Sequence, residues 1–317
     1  MRINFSDFDM DESIVTPIIY GENRHSTTNR GVVISGETKW ELKKFLSGFN
    51  ASVGTEQTPY YRIDAYFDEQ TVWLLEINAS FVDGWGTALN LARASGITVD
   101  PTSLVFPKRF TSKSRVYLPE LQLFVSELAH LGLHDHNICE WNGNGVDPIY
   151  VYGRVGSKDQ PNVLPFDGLR LDNKLNLGVF SREWTGDVVK IPQHYISRFN
   201  SWEEIPREVV LKFCDKGSVE CERARQSVMF NKPSGKAPFI KRCYNAETLI
   251  AQDIVRPTKQ DGSNCQLIIF AIGDEPVTGY VQYSRSEIIN DNSTHGPLRS
   301  VEKQGVQQCT PLLFTKI

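Results

Sequence analysis

Arg62, Asp64, Glu76 and Asn78 sit within two apolar runs, YYRIDAYF and TVWLLEINA, separated by Asp68, Glu69 and Gln70. Such runs around a short polar break spell a β-hairpin. With the hairpin centred on Gln70, Asp64 stands opposite Glu76 and Arg62 opposite Asn78. Alternate residues of a strand share a face, so these four make one polar patch on a ribbon whose other positions are Ile63, Trp73, Leu75 and Ile77. Two carboxylates facing each other repel by roughly a few tenths of a kcal/mol, and by more when partly buried, so a cation belongs between them. Arg62 could supply it, which makes the patch a structural ion cluster. Equally, Asp64, Glu76 and Asn78 offer only hard oxygen ligands, which suit Mg2+ beside a phosphate chain. On the residues alone both possibilities stand.

Two lysines bear on the choice. Lys212 lies inside the apolar strand EVVLKF, where a buried ammonium needs an anionic partner, and a phosphate would serve. Lys174, between Asp172 and the apolar Leu175 and Leu177, reads by itself as a solvated lysine. Other constellations fall away on spacing. His130, His134 and His136 have Gly132 between the first two and no acidic base after them, unlike a zinc helix. Asp7, Asp9 and Asp11 begin like a calcium loop, but Glu12 and Ile18 occupy its glycine and bidentate glutamate positions. The chain has neither G-x-x-x-x-G-K-S/T nor G-x-S-x-G. Asp83 and Trp85, just after the hairpin, suit either a substrate loop or simple packing under a helix.

The elements that must position these residues follow from periodicity. Leu42, Phe45, Leu46 and Phe49 recur at helical spacing, with Gly48 near the expected stop. GWGTALNLARASG makes a second helix ending at Gly96, and Pro119 opens a third that carries Leu121, Phe124, Val125 and Leu128 on one face. Short apolar runs after it suggest an alternating α/β segment. ETLIAQDIV, NCQLIIFAIG, TGYVQYSRSEII and the tail TPLLFTKI read as strands. The 317 residues are 40% hydrophobic, with 34 basic against 38 acidic side chains and a net charge of -4, so no basic field serves a nucleic-acid backbone. Six cysteines without a CxxC pair, an acidic N-terminus and no long apolar run predict a cytoplasmic protein without a membrane span. The N-x-S/T triplets at Asn50, Asn78 and Asn292 then carry no glycosylation.

R-x-D, with the Asp twelve residues before the Glu of L-E-x-N, resembles the metal-binding hairpin of ATP-grasp ligases. D-N-K at 172–174 and V-V-L-K at 209–212, their lysines 38 residues apart, are similar to that family's two ATP lysine motifs. LIAQDIV resembles its adenine hinge, and GYVQYSRSEIINDNS its strand pair near the γ-phosphate. Because the nucleotide motifs come after the hairpin, the resemblance is to the circularly permuted members, glutathionylspermidine synthetase-like carboxylate-amine ligases. It implies an α+β fold, with ATP-grasp elements in circularly permuted order around an inserted pre-ATP-grasp, Rossmann-like α/β segment. The implied divisions are a metal-hairpin lobe (1–97), the inserted segment (98–175), a nucleotide lobe (176–260) and a return to the first lobe (261–317), with the two chain ends close together.

The resemblance also implies roles. Asp64, Glu76 and Asn78 would bind two Mg2+ ions, and Lys174 and Lys212 the ATP phosphates, with Lys232 the other candidate for the second lysine. Gln252, Asp253 and Val255 would frame adenine, while Arg62 and Arg285 would stabilise the transferring phosphoryl group or acyl phosphate. The implied activity is ATP-dependent ligation of a small-molecule or peptide carboxylate to an amine, or less often a thiol. The sequence departs from the family at Gln282, which stands where Arg is usual, and in a glycine-rich loop reduced to DKGSVE around Gly217 or NKPSGKAP around Gly235. A nucleotide-binding module without turnover, or an α/β protein with a purely structural hairpin, are the alternatives.

Overall fold

Two long strands, Ser263–Ile272 and Glu275–Ser284, are buried along nearly their whole length and centre a mixed α+β fold. The computed structural model describes all residues except 1, 17, 21–22, 25, 56, 81, 113–114, 141–146, 153–162, 165–167, 216, 225–226, 234–236, 285–307 and 316–317. The main sheet runs Ile3–Asp7, Arg30–Ile34, Gln308–Phe314, Glu275–Ser284, Ser263–Ile272, Tyr60–Phe67, Val72–Asn78 and Val189–Lys190. Ile34 faces Ile3 on one side and Phe314 on the other, so the first and last strands of the chain flank the same neighbour.

Each face of this sheet covers a different core. Tyr61, Ile63, Ala65, Leu267, Ile269 and Val281 meet Leu42, Phe45, Leu46 and Phe49 of the helix Gly36–Val53. Ser35 caps that helix by accepting the Thr38 N–H, and Gly54 ends it at φ 66°, a left-handed conformation that glycine adopts without strain. The helix therefore passes Gly48, the stop expected from sequence. Gly48 serves packing instead: a Cβ there would lie 3.0 Å from the ring of Phe180.

The opposite face presents Tyr60, Ile268, Phe270 and Tyr280 to the helix Trp85–Ala94. Trp85 is fully buried, its ring 4.7 Å from that of Phe270, which settles its place as packing under the helix. The helix Leu118–His130 buries Leu121, Phe124 and Leu128 behind it, and crosses between strands of a four-stranded parallel sheet: Val163–Leu164, Ile149–Tyr152, Arg109–Ser112 and Asn137–Ile138. A third sheet, antiparallel, orders His194–Tyr195, Leu249–Asp253, Val209–Phe213 and Val228–Phe230. Its Val209, Leu211, Phe213, Leu249 and Ala251 pack with Ile240, Cys243 and Tyr244 of the helix Ala237–Asn245. Among the described residues no helix is long and apolar enough to cross a membrane.

The helices Trp85–Ala94 and Leu118–His130 touch through Gly86, where a Cβ would come within 2.6 Å of the Phe124 nitrogen and 2.7 Å of the Glu120 carbonyl. The Glu120 carboxylate accepts the N–H groups of Gly86 (2.6 Å) and Thr87 (3.2 Å) in the first helical turn. Burial, with the Asp83 charge adding to it, pushes this carboxyl up to about 8. The folded protein thus holds a proton that the unfolded chain releases near 4.5, and stability falls as pH climbs from there towards about 8.

Two outcomes follow from this junction. Gly86→Ala is expected to lower stability by about 1–3 kcal/mol, because backbone rather than a movable side chain blocks the methyl. Glu120→Gln, which keeps an acceptor for Gly86 and Thr87, is expected to flatten the loss of stability between about pH 5 and about pH 8 in denaturant titrations. An unchanged slope in that variant would refute the assignment.

Candidate functional site

The hairpin pairs Arg62 with Asn78 and Asp64 with Glu76. Beyond Asp64 the register shifts, so that Ala65 faces Leu74 and Leu75 becomes the extra residue of a bulge. The Leu75 carbonyl accepts the Lys212 ammonium at 2.8 Å. A backbone irregularity thereby becomes the anchor for a side chain from the third sheet.

Each facing carboxylate meets a basic side chain. Arg62 contacts Asp64 (3.2 Å) and Asp83 (2.7 Å), while Glu76 takes Lys174 at 2.7 Å. The Lys174 ammonium also lies 3.5 Å from Asp172 Oδ1 and donates to Asn78 Oδ1 at 3.5 Å. Lys174 is only 5% exposed, which corrects the expectation of a solvated side chain. Local geometry turns it inward. Asn173 caps the helix Lys174–Phe180 by accepting the Leu175 N–H, and the Lys174 N–H donates to the Cys214 carbonyl at the end of the Lys212 strand.

Asp172 fastens the same segment to the hairpin. Its carboxylate accepts the Ala79 N–H (3.3 Å) and the Ser80 hydroxyl (2.8 Å). Gly168 permits this approach, since a Cβ there would stand 2.8 Å from the Ala79 carbonyl oxygen and the Ser80 Cα. Asp83 was weighed from sequence only as a substrate-loop residue, and Asp172 only as the first residue of D-N-K; neither was assigned an ion-pairing role. Their only sequence signal is position: one follows the hairpin and the other opens D-N-K.

In the third sheet, His194 faces Gln252, Gln252 faces Val210, and Lys212 faces Ile250. Directly paired residues share a face, so Lys212, Gln252 and His194 lie on the side away from that sheet's apolar core. Gln252 is buried and its Nε2 has no hydrogen-bond partner. Burial and the nearby Lys212 charge push the His194 imidazole down to about 3, so it stays neutral.

The remaining candidates are dispersed. Asp253 points to the other face, where its carboxylate accepts the Tyr195 hydroxyl at 3.0 Å. Val255 follows the strand end, half-buried. Lys232 donates to the Trp202 carbonyl at 2.7 Å and sits 5.1 Å above that indole. Gln282 is buried opposite Gln266 in the central ladder. Gly217 lies in a turn where its N–H donates to Asp215. Arg285 and Gly235 fall outside the described residues.

Asp64, Glu76 and Asn78 supply the hard oxygen donors that Mg2+ takes. Among the described residues, however, no three His, Cys, Asp or Glu side chains are grouped tightly enough to hold a metal ion. The two hairpin carboxylates each turn towards a basic side chain instead.

No family model and no curated protein matches the chain. A solved structure described as a "putative gamma-glutamylcysteine synthetase" from Methylobacillus flagellatus KT is similar at a TM-score of 0.44 and 10% identity, over 86% of this chain and 90% of that one. The expected place among glutathionylspermidine synthetase-like permuted ATP-grasp ligases is corrected: the similar solved structure named here is described as a different synthetase.

Removing one partner from a buried ion cluster strands the others. Lys174→Met is expected to cost about 3–5 kcal/mol of stability by removing the ammonium that Glu76 and Asp172 both contact. Combining it with Glu76→Gln should recover part of that loss in a double-mutant cycle followed by denaturant unfolding. Strict additivity of the two changes would contradict the coupling.

Proposed function

We propose that the protein is an ATP-dependent ligase that uses Mg2+ to join a carboxylate to an amine or thiol. The observation that supports this is the convergence of two buried lysines, Lys174 and Lys212, on the strand Val72–Asn78 that carries Glu76 and Asn78. Ammonium groups so placed are suited to phosphate oxygens, and the carboxylates beside them to the accompanying metal.

Lys174 and Lys212 would bind the α- and β-phosphates, with Gln252, on the same face as Lys212, beside adenine. Asp64, Glu76 and Asn78 would hold Mg2+, which when bound neutralises charge on the triphosphate. Arg62, in contact with Asp64 and Asp83, would receive the substrate carboxylate or the phosphoryl group moving onto it. Attack of that carboxylate on the γ-phosphorus would give ADP and an acyl phosphate, and attack of the amine would release phosphate. The chain's own part is binding, orientation and charge stabilisation. Arg285 would act with Arg62.

Calorimetry with ATP and Mg2+ tests the nucleotide site, and ADP release across a panel of carboxylates and amines tests the ligase. Lys212→Ala, which removes a charge-assisted contact, should weaken ATP binding by about 10- to 100-fold. Arg62→Lys should lower kcat far more than it raises KM for ATP. Absence of an ATP-dependent rise in melting temperature would overturn the proposal; binding without ADP release from any substrate pair would leave a nucleotide-binding module.

A further inference from the structure

His194 belongs to no motif in the sequence, yet the third sheet sets it directly opposite Gln252, on the face that also bears Lys212. Gln252 is 1% exposed and His194 5%, and both Gln252 Nε2 and His194 Nδ1 are without a hydrogen-bond partner. A single buried polar nitrogen left unpaired is costly, so two side by side call for a ligand that pairs them both. We infer, resting on the ATP reading of this site, that His194 and Gln252 read the edge of the nucleobase and select the 6-amino group of adenine over a 6-oxo group.

Position comes first. Gln252 pairs with Val210, two residues before Lys212, so the amide and the ammonium are diagonal neighbours roughly 7–8 Å apart at their backbones. A base beside Gln252 therefore lies on the same side of the sheet as a cation suited to phosphate. The helix Lys174–Phe180 packs on the imidazole through Gly178, where a Cβ would stand 3.3 Å from His194 Cδ2. Chemistry then sets the choice of base. Burial, and after it the Lys212 charge, keeps the imidazole neutral, with one donor and one acceptor nitrogen. The Pro192 carbonyl accepts from this ring, and Nδ1 is the unpaired nitrogen, so the proton sits on Nε2 and Nδ1 carries the lone pair. Gln252 Nε2 can only donate. The pair thus offers a donor beside an acceptor, and adenine presents the complement, N7 as acceptor next to the 6-amino donor. A 6-oxo purine keeps N7 but sets a second acceptor against the Nδ1 lone pair, which leaves both unpaired.

The experiment compares the binding of ATP and of ITP, its 6-oxo counterpart, to the full chain by calorimetry with Mg2+ in excess. Wild type should bind ATP at least about tenfold more tightly than ITP. His194→Phe keeps a ring but removes the acceptor, and should bring the two nucleotides within about threefold of each other. That ratio is a readout which a merely structural histidine would not move. Should this variant not fold, His194→Gln serves, because its amide can pair with either 6-substituent and narrows the ratio in the same way. Gln252→Glu, close in shape, turns the unpaired donor into an acceptor and should weaken ATP at least about tenfold. Equal binding of ATP and ITP by wild type, an undiminished ratio in the folded His194 variant, or an unchanged ATP affinity in Gln252→Glu overturns the base-reading role while leaving ATP binding in place. Wild type binding neither nucleotide overturns the ATP reading itself.

Discussion

The buried Lys174 ammonium is the contact on which the arrangement of the site depends. It joins three parts of the chain that no local hydrogen-bond pattern would bring together: the hairpin through Glu76 and Asn78, the turn after it through Asp172, and the third sheet through its own N–H on Cys214. Each requirement for placing it is visible nearby. Gly168 lets the segment approach Ala79 and Ser80, and Asn173 starts a helix whose first residue faces inward. Lys212 makes a second tie between the third sheet and the same strand, through the carbonyl of the bulged Leu75. The small sheet is therefore held against the hairpin by two cations rather than by apolar packing alone.

Buried carboxylates elsewhere in the molecule show by contrast what a structural acid looks like. Glu127 is gripped by two nitrogens of Arg93 at 2.7 and 2.8 Å and by Asn90 at 2.8 Å. Glu41 accepts the backbone N–H groups of Val188 and Val189, and Glu120 those of Gly86 and Thr87. Such partners come from the elements that these acids hold together. Glu76 instead meets an ammonium, that of Lys174, at the end of a four-carbon chain.

The hairpin was legible because strand alternation is a local signal: the apolar positions around Arg62 and Asp64 fix which residues face each other, and the register near the site follows. The Lys212 strand and the long central strands were legible as apolar, β-prone runs. The bulge at Leu75 was not, since a single extra residue leaves the apolar pattern nearly unchanged. Nor was the burial of Lys174, whose partner Asn78 is 96 residues away in sequence. Gly48 misled because a glycine inside a helix and one at its end look alike until the ring it accommodates, that of Phe180, is in place. Short motifs carried the family resemblance, and short motifs constrain local conformation far more than they constrain descent or overall topology.

The charges gathered around the hairpin point to what a phosphate ligand must bring with it. Arg62, Lys174 and Lys212 contribute three positive charges, whereas Asp64, Asp83, Glu76 and Asp172 contribute four negative ones, leaving the group one unit negative. His194 is held neutral by its burial, and Glu120, pushed up to about 8, adds little negative charge at neutral pH. The protein as a whole, at a net charge of -4, offers no wider positive field. A triphosphate entering alone would meet a site of its own sign. On the proposed reading, a divalent metal carried in with it would reverse that sign at the carboxylates, beside the two lysines proposed to meet the phosphate oxygens.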